Sequence, residues 1–454
     1  MERIQMTKKE IIYAKKQRDN ISLLKIHKML ASDLLFFYTT YILFLLNVRN
    51  LQMSNIVLAG ALYGIFKVIC QVPSVMIIEK LGYKASIIIG DSLLVMSIIL
   101  IIFSTNPIIL YLAYLFMGMG YPIKDNAEES MLLYSIPNTD KKSEVFAKTL
   151  GKSLSRFFIV ATISAAVSGF LFKLNPYIPL ILCASAFALS LRIAFMLHPL
   201  DQDDKKKVET EEEFIKKKNK YFKELGLGFK YIFSSTRLIA LFGFVAIFYS
   251  SIQVMNNYEI EYLNFLNVSP ELIGIVYGAT QLMSSFGSHY AERVHRKFKN
   301  RTLTIIGVLF GLTIFVAGLL YKFNINYYLI VLFVVFLYMI RYLCMSFYYV
   351  LIKKYMSNFA GKKILSKIYS AYAIVCGTSS FLMGLVATVI VKNNDMAIAF
   401  TLFGAISLIG IMIMLTFMRS RIGLKADDYN KLDINFTEFK LKNELNSKEA
   451  VYDE

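Results

Sequence analysis

From residue 30 onward the chain is a succession of long apolar runs separated by short polar interruptions. Twelve runs can be read, near 30–48, 55–78, 85–104, 107–135, 151–172, 175–197, 237–263, 269–291, 302–321, 325–352, 365–391 and 395–418. At the helical rise of about 1.5 Å per residue, roughly 20 residues cross a hydrocarbon layer of about 30 Å. The run at 302–321 (TLTIIGVLFGLTIFVAGLLY) is uninterrupted, whereas those at 107–135 and 237–263 contain charges that leave their ends open by several residues. The pattern predicts an all-α membrane protein with twelve transmembrane helices. A basic N-terminal segment (1–29) precedes six helices (30–197), a long polar loop (198–236), six more helices (237–418) and a tail (419–454).

Composition strengthens this reading. Apolar residues make up 56% of the chain and charged ones 18%, with 36 Phe, 29 Tyr and no Trp. A water-soluble domain has about 25% charged residues and cannot hide that much apolar surface. Cys70, Cys183, Cys344 and Cys376 all lie inside apolar runs without metal-site spacing, so neither a disulfide frame nor a zinc site is expected. The chain contains no HExxH, GxSxG or GxxxxGK[ST] pattern, so no enzymatic chemistry, ATP-driven step or cofactor is expected.

The net charge of +18 reports topology. With the N-terminus in the cytoplasm, the outward loops hold only Arg49, Lys173, Lys322 and Lys392, while Lys67, Lys124 and Arg341 fall inside spans. All but seven of the 50 Lys and Arg residues then lie at the cytoplasmic side, as the positive-inside rule requires. Both termini are expected on the cytoplasmic side of a cell membrane, and the basic surface is expected to meet anionic lipid, not nucleic acid. The first 29 residues have no short apolar stretch with a small-residue cleavage site, so no cleavable signal peptide is expected. In the central loop, Ile215, Phe222, Leu225, Phe229 and Ile232 recur at helical spacing, which suggests a helix along the membrane surface, while the first half reads equally well as a solvated linker.

The halves echo each other. IIEKLGYKASIIIG follows span two and YAERVHRKFKNRTLTIIG follows span eight. Each puts an acid–base pair (Glu79-Lys80, Glu292-Arg293) at the end of one helix and an Ile-Ile-Gly (Gly90, Gly307) at the start of the next. Duplication of a six-helix unit is a known transporter architecture. At the same place VMIIEKLGYK resembles the loop 2–3 signature of the major facilitator superfamily. Glu79 stands for the acid, Lys80 and Lys84 for bases and Gly82 for the glycine; Val75 and Tyr83 depart from the pattern. YLAYLFMGMGYPIKDNAEESMLLYSI is similar to the fourth helix of bacterial drug-efflux members, and Arg341 sits where a tenth-helix arginine is common in them. SAAVSGFLF keeps Gly169 but lacks the antiporter Gly-Pro pair. The resemblance covers essentially the whole chain and implies two six-helix bundles that alternate access to a central site, with Glu79, Lys80, Gly82 and Lys84 as a gating turn.

Ionisable groups within spans are the candidate chemistry, because each costs about 2.5–3.5 kcal/mol at a helix centre. Asp33 in span one is either a helix-end carboxylate or a coupling group. Lys67, near mid-span, is too deep to snorkel easily and is expected to face a cavity or a carboxylate. In span four Lys124, Asp125, Glu128 and Glu129 are spaced for internal pairing, and clustered carboxylates raise each other's pKa. Asp33, Asp125, Glu128 and Glu129 are therefore the candidate proton-coupling set. Arg341 needs a partner, either a structural ion pair or an anionic substrate. Glu259 and Glu261, two apart, are expected to face different sides, with at least one at the interface. Aromatic residues line spans one and ten; most serve packing, while Tyr38 and Tyr338, with Lys67 and Arg341, are candidate cavity residues. None of the four histidines reads as a ligand. The expected function is proton-coupled export of a small organic compound, a drug or metabolite, by a monomeric antiporter embedded in membrane lipid. A nutrient importer of the same fold and a membrane-embedded lipid-handling or binding protein are the alternatives.

Overall fold

The computed structural model describes residues 8–137, 142–199, 223, 226–298, 301–323, 326–359 and 365–422. Every regular element among the described residues is a helix. The helices are α1 (Lys8–Ala31), α2 (Tyr41–Leu43, running into a π-helical turn at Phe44–Val48), α3 (Met53–Ile69), α4 (Gln71–Leu81) and α5 (Tyr83–Ile102). They continue as α6 (Pro107–Ser135), α7 (Lys142–Leu174), α8 (Tyr177–Met196), α9 (Thr236–Phe265) and α10 (Pro270–Phe298). The last four are α11 (Arg301–Leu320), α12 (Tyr327–Phe359), α13 (Leu365–Asn393) and α14 (Met396–Ile422). Local chemistry sets several boundaries. Asn106 caps α6, its side chain accepting from the Ile108 N–H at 2.9 Å, and Pro107 occupies the first helical position, where no donor is needed.

Among the described residues, eight helices are long and apolar enough to cross a membrane. They are Tyr83–Ile102, Arg156–Leu174, Tyr177–Met196, Arg237–Phe265, Arg301–Leu320, Tyr327–Ile352, Ala371–Asn393 and Met396–Phe417. The protein is thus an all-α multi-pass membrane protein. The other four runs deviate for physical reasons. The run at 30–48 is not one helix: α1 stops at Ala31, residues 32–40 form turns, and Phe36 takes a left-handed φ of 63°. The run at 55–78 is divided at Cys70 into α3 and α4. Charges dilute the apolar character of α6 and α10. In the central loop, 226–234 is helical and Ile232 is buried; residues 200–222, which include Ile215 and Phe222, lie outside the described residues, as does Leu225.

The chain divides into two compact units. Unit 1 is Met1–Gln52, Ile65–Phe214 and Ser269–Gly278; unit 2 is Met53–Gly64, Ile215–Val268 and Ala279–Glu454. In unit 1, α5 packs on α6 and α8, and α1 packs on α6, α7 and α8. Leu24, Tyr83, Ile87, Met131 and Leu197 form the core between them. The α5–α6 approach needs glycine: a Cβ on Gly90 would lie 2.7 Å from Lys124 Cβ and 2.9 Å from the Gly120 carbonyl. In unit 2, α11 packs on α12 and α14, and α9 packs on α13 and α14. The pairing of α5 with α6 and α8 therefore has the same form as that of α11 with α12 and α14.

The basic N-terminal segment contributes more than a tether. Along α1 the residues Asn20, Leu24, His27, Lys28 and Ala31 are buried, three or four apart, so the helix docks by one stripe. Asn20 grips the backbone after α8 twice: its Nδ2 donates to the His198 carbonyl at 2.9 Å, and its Oδ1 accepts from the His198 N–H at 2.8 Å.

Candidate functional site

The docked face of α1 carries a histidine into a nest of acids. His27 Nε2 lies 2.7 Å from Asp91 Oδ2 on α5, and His27 Nδ1 lies 3.2 Å from Glu128 Oε1 on α6. His27 and Asp91 are fully buried and Glu128 nearly so. An imidazole with a carboxylate at each nitrogen satisfies both only by donating from both, which makes it the imidazolium. Burial alone would lower its pKa; the charges of Glu128 and Asp91 outweigh that and raise it to about 9. Lys28, the next residue, donates to Glu128 Oε2 at 3.3 Å and reaches half-exposed Glu129 at 3.8 Å. The second Asp91 oxygen, Oδ1, is buried without a hydrogen-bond partner.

One turn earlier on α6, Lys124 is fully buried. Its Nζ donates to the Ala31 carbonyl at the end of α1, sits 3.2 Å from Asp125 Oδ1, and lies 4.9 Å from the Tyr121 ring centre. Lys124 and Glu128 share a face but each is paired with other groups, so the span-four charges bind α1 more than one another. Asp33 stands in the turn stretch after α1, partly exposed, with Oδ1 accepting from the Leu34 N–H at 2.8 Å. It makes no ion pair among the described residues, although Lys124 and Lys67 act on it electrostatically. The expected carboxylate set is therefore split: Glu128 and Glu129 gather at Lys28, Asp125 at Lys124, and Asp33 stays apart. Lys67 is exposed in the last turn of α3, and Tyr38 packs edge-on against Tyr277 at 5.9 Å between ring centres.

At the proposed gating turn, Gly82 joins α4 to α5 with φ 81° and ψ 173°, a conformation essentially restricted to glycine. Lys84 Nζ donates to the Phe195 carbonyl at 2.8 Å at the end of α8, and Lys80 is exposed. The side chain of Glu79 lies outside the described residues.

Unit 2 holds a second buried charge centre. Arg341 on α12 pairs with Glu259 on α9, and both are essentially inaccessible to solvent. The Tyr342 hydroxyl donates to Glu259 Oε1 at 2.5 Å, the Tyr338 hydroxyl donates to the Glu259 carbonyl at 3.1 Å, and the guanidinium lies 4.5 Å from the Tyr338 ring centre. Arg341 thus has the structural partner that its depth demanded, and Glu259 is the member of its pair that turns inward. Glu261 is partly exposed and accepts from Asn264 Nδ2 at 3.0 Å.

Sequence alone assigns His27 no ligand role and does not single out Lys28 or Asp91. Two signals were present: a lone Asp inside the apolar run IIIGDSLLV, and a His-Lys pair four residues before the end of a polar helix. Neither has meaning until α1 is docked. Among the described residues no group of His, Cys, Asp and Glu is arranged to hold a metal ion.

The sequence profile of the Major Facilitator Superfamily matches residues 29–385. No curated protein sequence matches the chain. Solved structures do. The nucleoside transporter NupG is similar with a TM-score of 0.69 at 12% identity, over 89% of this chain and 99% of that one. A D-xylose–proton symporter gives 0.63 at 12% identity, over 91% and 99%. The peptide transporter POT in complex with sulfate gives 0.63 at 13% identity, over 91% and 96%. These likenesses correct one expectation. The similar structures are a nucleoside transporter, a peptide transporter and a D-xylose–proton symporter, so the expectation of export, antiport and multidrug resistance is withdrawn. The drug-efflux subtype read from span four gains no support, because the matching profile specifies the superfamily alone. A profile match across more than three quarters of a helical multi-pass chain leaves a transport protein rather than an enzyme: the chain belongs to the Major Facilitator Superfamily.

Proposed function

We propose that this protein is a proton-coupled importer of a small organic solute, working by alternating access in the cell membrane. The observation that carries this reading is the likeness, over 91% of the chain, to a proton symporter, joined to similar structures of nucleoside and peptide transporters. The arrangement of buried charge agrees with it: titratable acids and bases kept inside apolar helices are expensive and are retained where protons or ions are handled.

Twelve spans in two six-helix bundles belong to this proposal. The recurrence of one helix-pairing pattern in both units supports them, and so does the echo between Glu79-Lys80 and Glu292-Arg293. Both termini are assigned to the cytoplasm on the Lys/Arg asymmetry, and the working unit to a monomer. Asp33, Asp125, Glu128 and Glu129 are the proposed proton-coupling residues. Lys67 and Tyr38 are proposed to meet the solute. Arg341 and Tyr338 are proposed to shape the site around a charge already compensated by Glu259. Glu79, Lys80, Gly82 and Lys84 are proposed to hold one conformation shut at the cytoplasmic face, so that Glu79→Gln reduces turnover more than binding.

The test is uptake by purified protein in liposomes of uridine, dialanine and D-xylose, each with the pH gradient imposed in either direction. Accumulation of at least one under an inward proton gradient, abolished by a protonophore, supports the reading. Accumulation only under an outward-directed substrate or inverted proton gradient contradicts it.

A further inference from the structure

His27 is the most constrained titratable group in unit 1, and nothing so far gives it a task. It sits one turn before α1 ends, at the point where α1 meets α5 and α6 together. Its partners come from two neighbouring helices and from α1 itself. Asp91 faces it from α5, Glu128 faces it from α6, and Lys28 shares Glu128 from α1 itself. Lys124, Asp125 and Glu129 complete the charged surroundings on α6. Among the described residues, α7 and α8 bring no charged group within ion-pair distance, and His198 beyond α8 lies 3.9 Å from Asp19, more than two turns back along α1.

The contacts are asymmetric with respect to a proton. As the imidazolium, His27 ties three helices by two charge-assisted hydrogen bonds. As neutral imidazole it has one N–H and one lone pair, so one of the two buried carboxylates faces a lone pair and the junction turns repulsive. The N–H bond that breaks leaves its electron pair on the ring nitrogen, and the proton passes to solvent. Immediately beyond stands the stretch most able to respond. Lys124 holds the Ala31 carbonyl, residues 32–40 are non-helical, and Phe36 is left-handed.

We propose that His27, Asp91 and Glu128 form a proton-binding site whose charge state decides whether α1 stays docked against α5 and α6. The site stands on geometry alone; its use in coupling proton entry to solute entry rests on the importer reading above.

Two measurements on the full-length protein in lipid nanodiscs test it. In the first, histidine is 15N-labelled and the His27 signal is identified by its loss in His27→Gln. The expected result is an imidazolium at pH 7 that gives up its proton near pH 9, well above the ordinary 6.5. In the second, spin labels at exposed Ile26→Cys and Ser92→Cys report the α1–α5 distance. A single short distance is expected at pH 6, joined by a longer population as His27 titrates. In the His27→Gln background the distribution is expected to lose its pH dependence. A neutral His27 at pH 7, or a distance distribution unchanged between pH 6 and pH 10 in the wild type, overturns the proposal. So does a pH response that persists in His27→Gln. The importer reading is scored separately by wild-type uptake of the same three solutes. Proton-driven uptake with a silent His27 sinks the latch alone, and a titrating latch without proton-driven uptake sinks its coupling role alone.

Discussion

In unit 1 a histidine stands between two carboxylates, whereas in unit 2 an arginine faces one carboxylate and two tyrosines. Both centres are buried, and both join helices of one unit that lie far apart along the chain. They differ in what pH can do to them. Arginine does not deprotonate in proteins, and a phenol is neutral near pH 7, so the Arg341–Glu259 centre carries a fixed charge pattern. The His27 centre is built on the one side chain whose ordinary pKa lies near neutrality. One unit therefore holds a permanent staple and the other a titratable one, and this difference, more than the number of charges, marks unit 1 as the place to look for proton coupling.

The sharpest way to break the comparison is to remove one partner from the permanent staple. Arg341→Ala leaves Glu259 buried without its counter-charge, a loss of about 3–5 kcal/mol that should appear as a large fall in thermal unfolding midpoint in detergent, equal at pH 6 and pH 9. The titratable staple should behave differently in the wild type. Its folded pKa lies above the ordinary histidine value, so its contribution is complete below pH 6.5 and disappears as pH rises through 9. That window corresponds to up to about 3 kcal/mol. A midpoint that falls across the window in wild type, and stays flatter in His27→Gln, is the expected result.

Smaller effects sharpen the picture. Gly82→Ala places a Cβ on a backbone with φ 81° and ψ 173°, which should cost about 1–3 kcal/mol and raise protease sensitivity at the α4–α5 turn. Asn20→Ala removes both hydrogen bonds to His198, about 1–2 kcal/mol, and should loosen α1 in hydrogen exchange without altering the midpoint response to Arg341→Ala. Glu129→Gln should do least, below about 1 kcal/mol and erased by salt, because Glu129 is 51% exposed at its side chain and 3.8 Å from Lys28.

The membrane-spanning character of the fold was legible because a long apolar run has few alternatives: burying it in lipid is the only inexpensive outcome. The helix breaks were not. Nothing in ASDLLFFYTTYIL announces that α1 stops at Ala31 and that Phe36 turns left-handed, since tertiary contacts around Lys124 hold the end open. Arg341 could be singled out from depth alone, and its need for a partner followed from electrostatics; which acid supplied it required the packing of α9 on α12. Glu128 was visible for the same reason, but its spacing from Lys124 suggested a pair within α6. Asp91 and His27 lie 64 residues apart, and no periodicity within either segment links them. The direction of transport has no signature in charge spacing, and the resemblance of span four and of the Arg341 position to efflux proteins was the basis for expecting export.

The most direct test of proton-coupled import is the initial rate of solute entry into liposomes as a function of the imposed pH difference, with membrane potential clamped. The uridine, dialanine and D-xylose panel should contain a solute whose uptake rises when the outside is acidic and falls to the exchange level when the gradient is collapsed. Entry of every transported solute at a rate independent of the pH difference, or accumulation driven only by an outward proton gradient, would contradict the account.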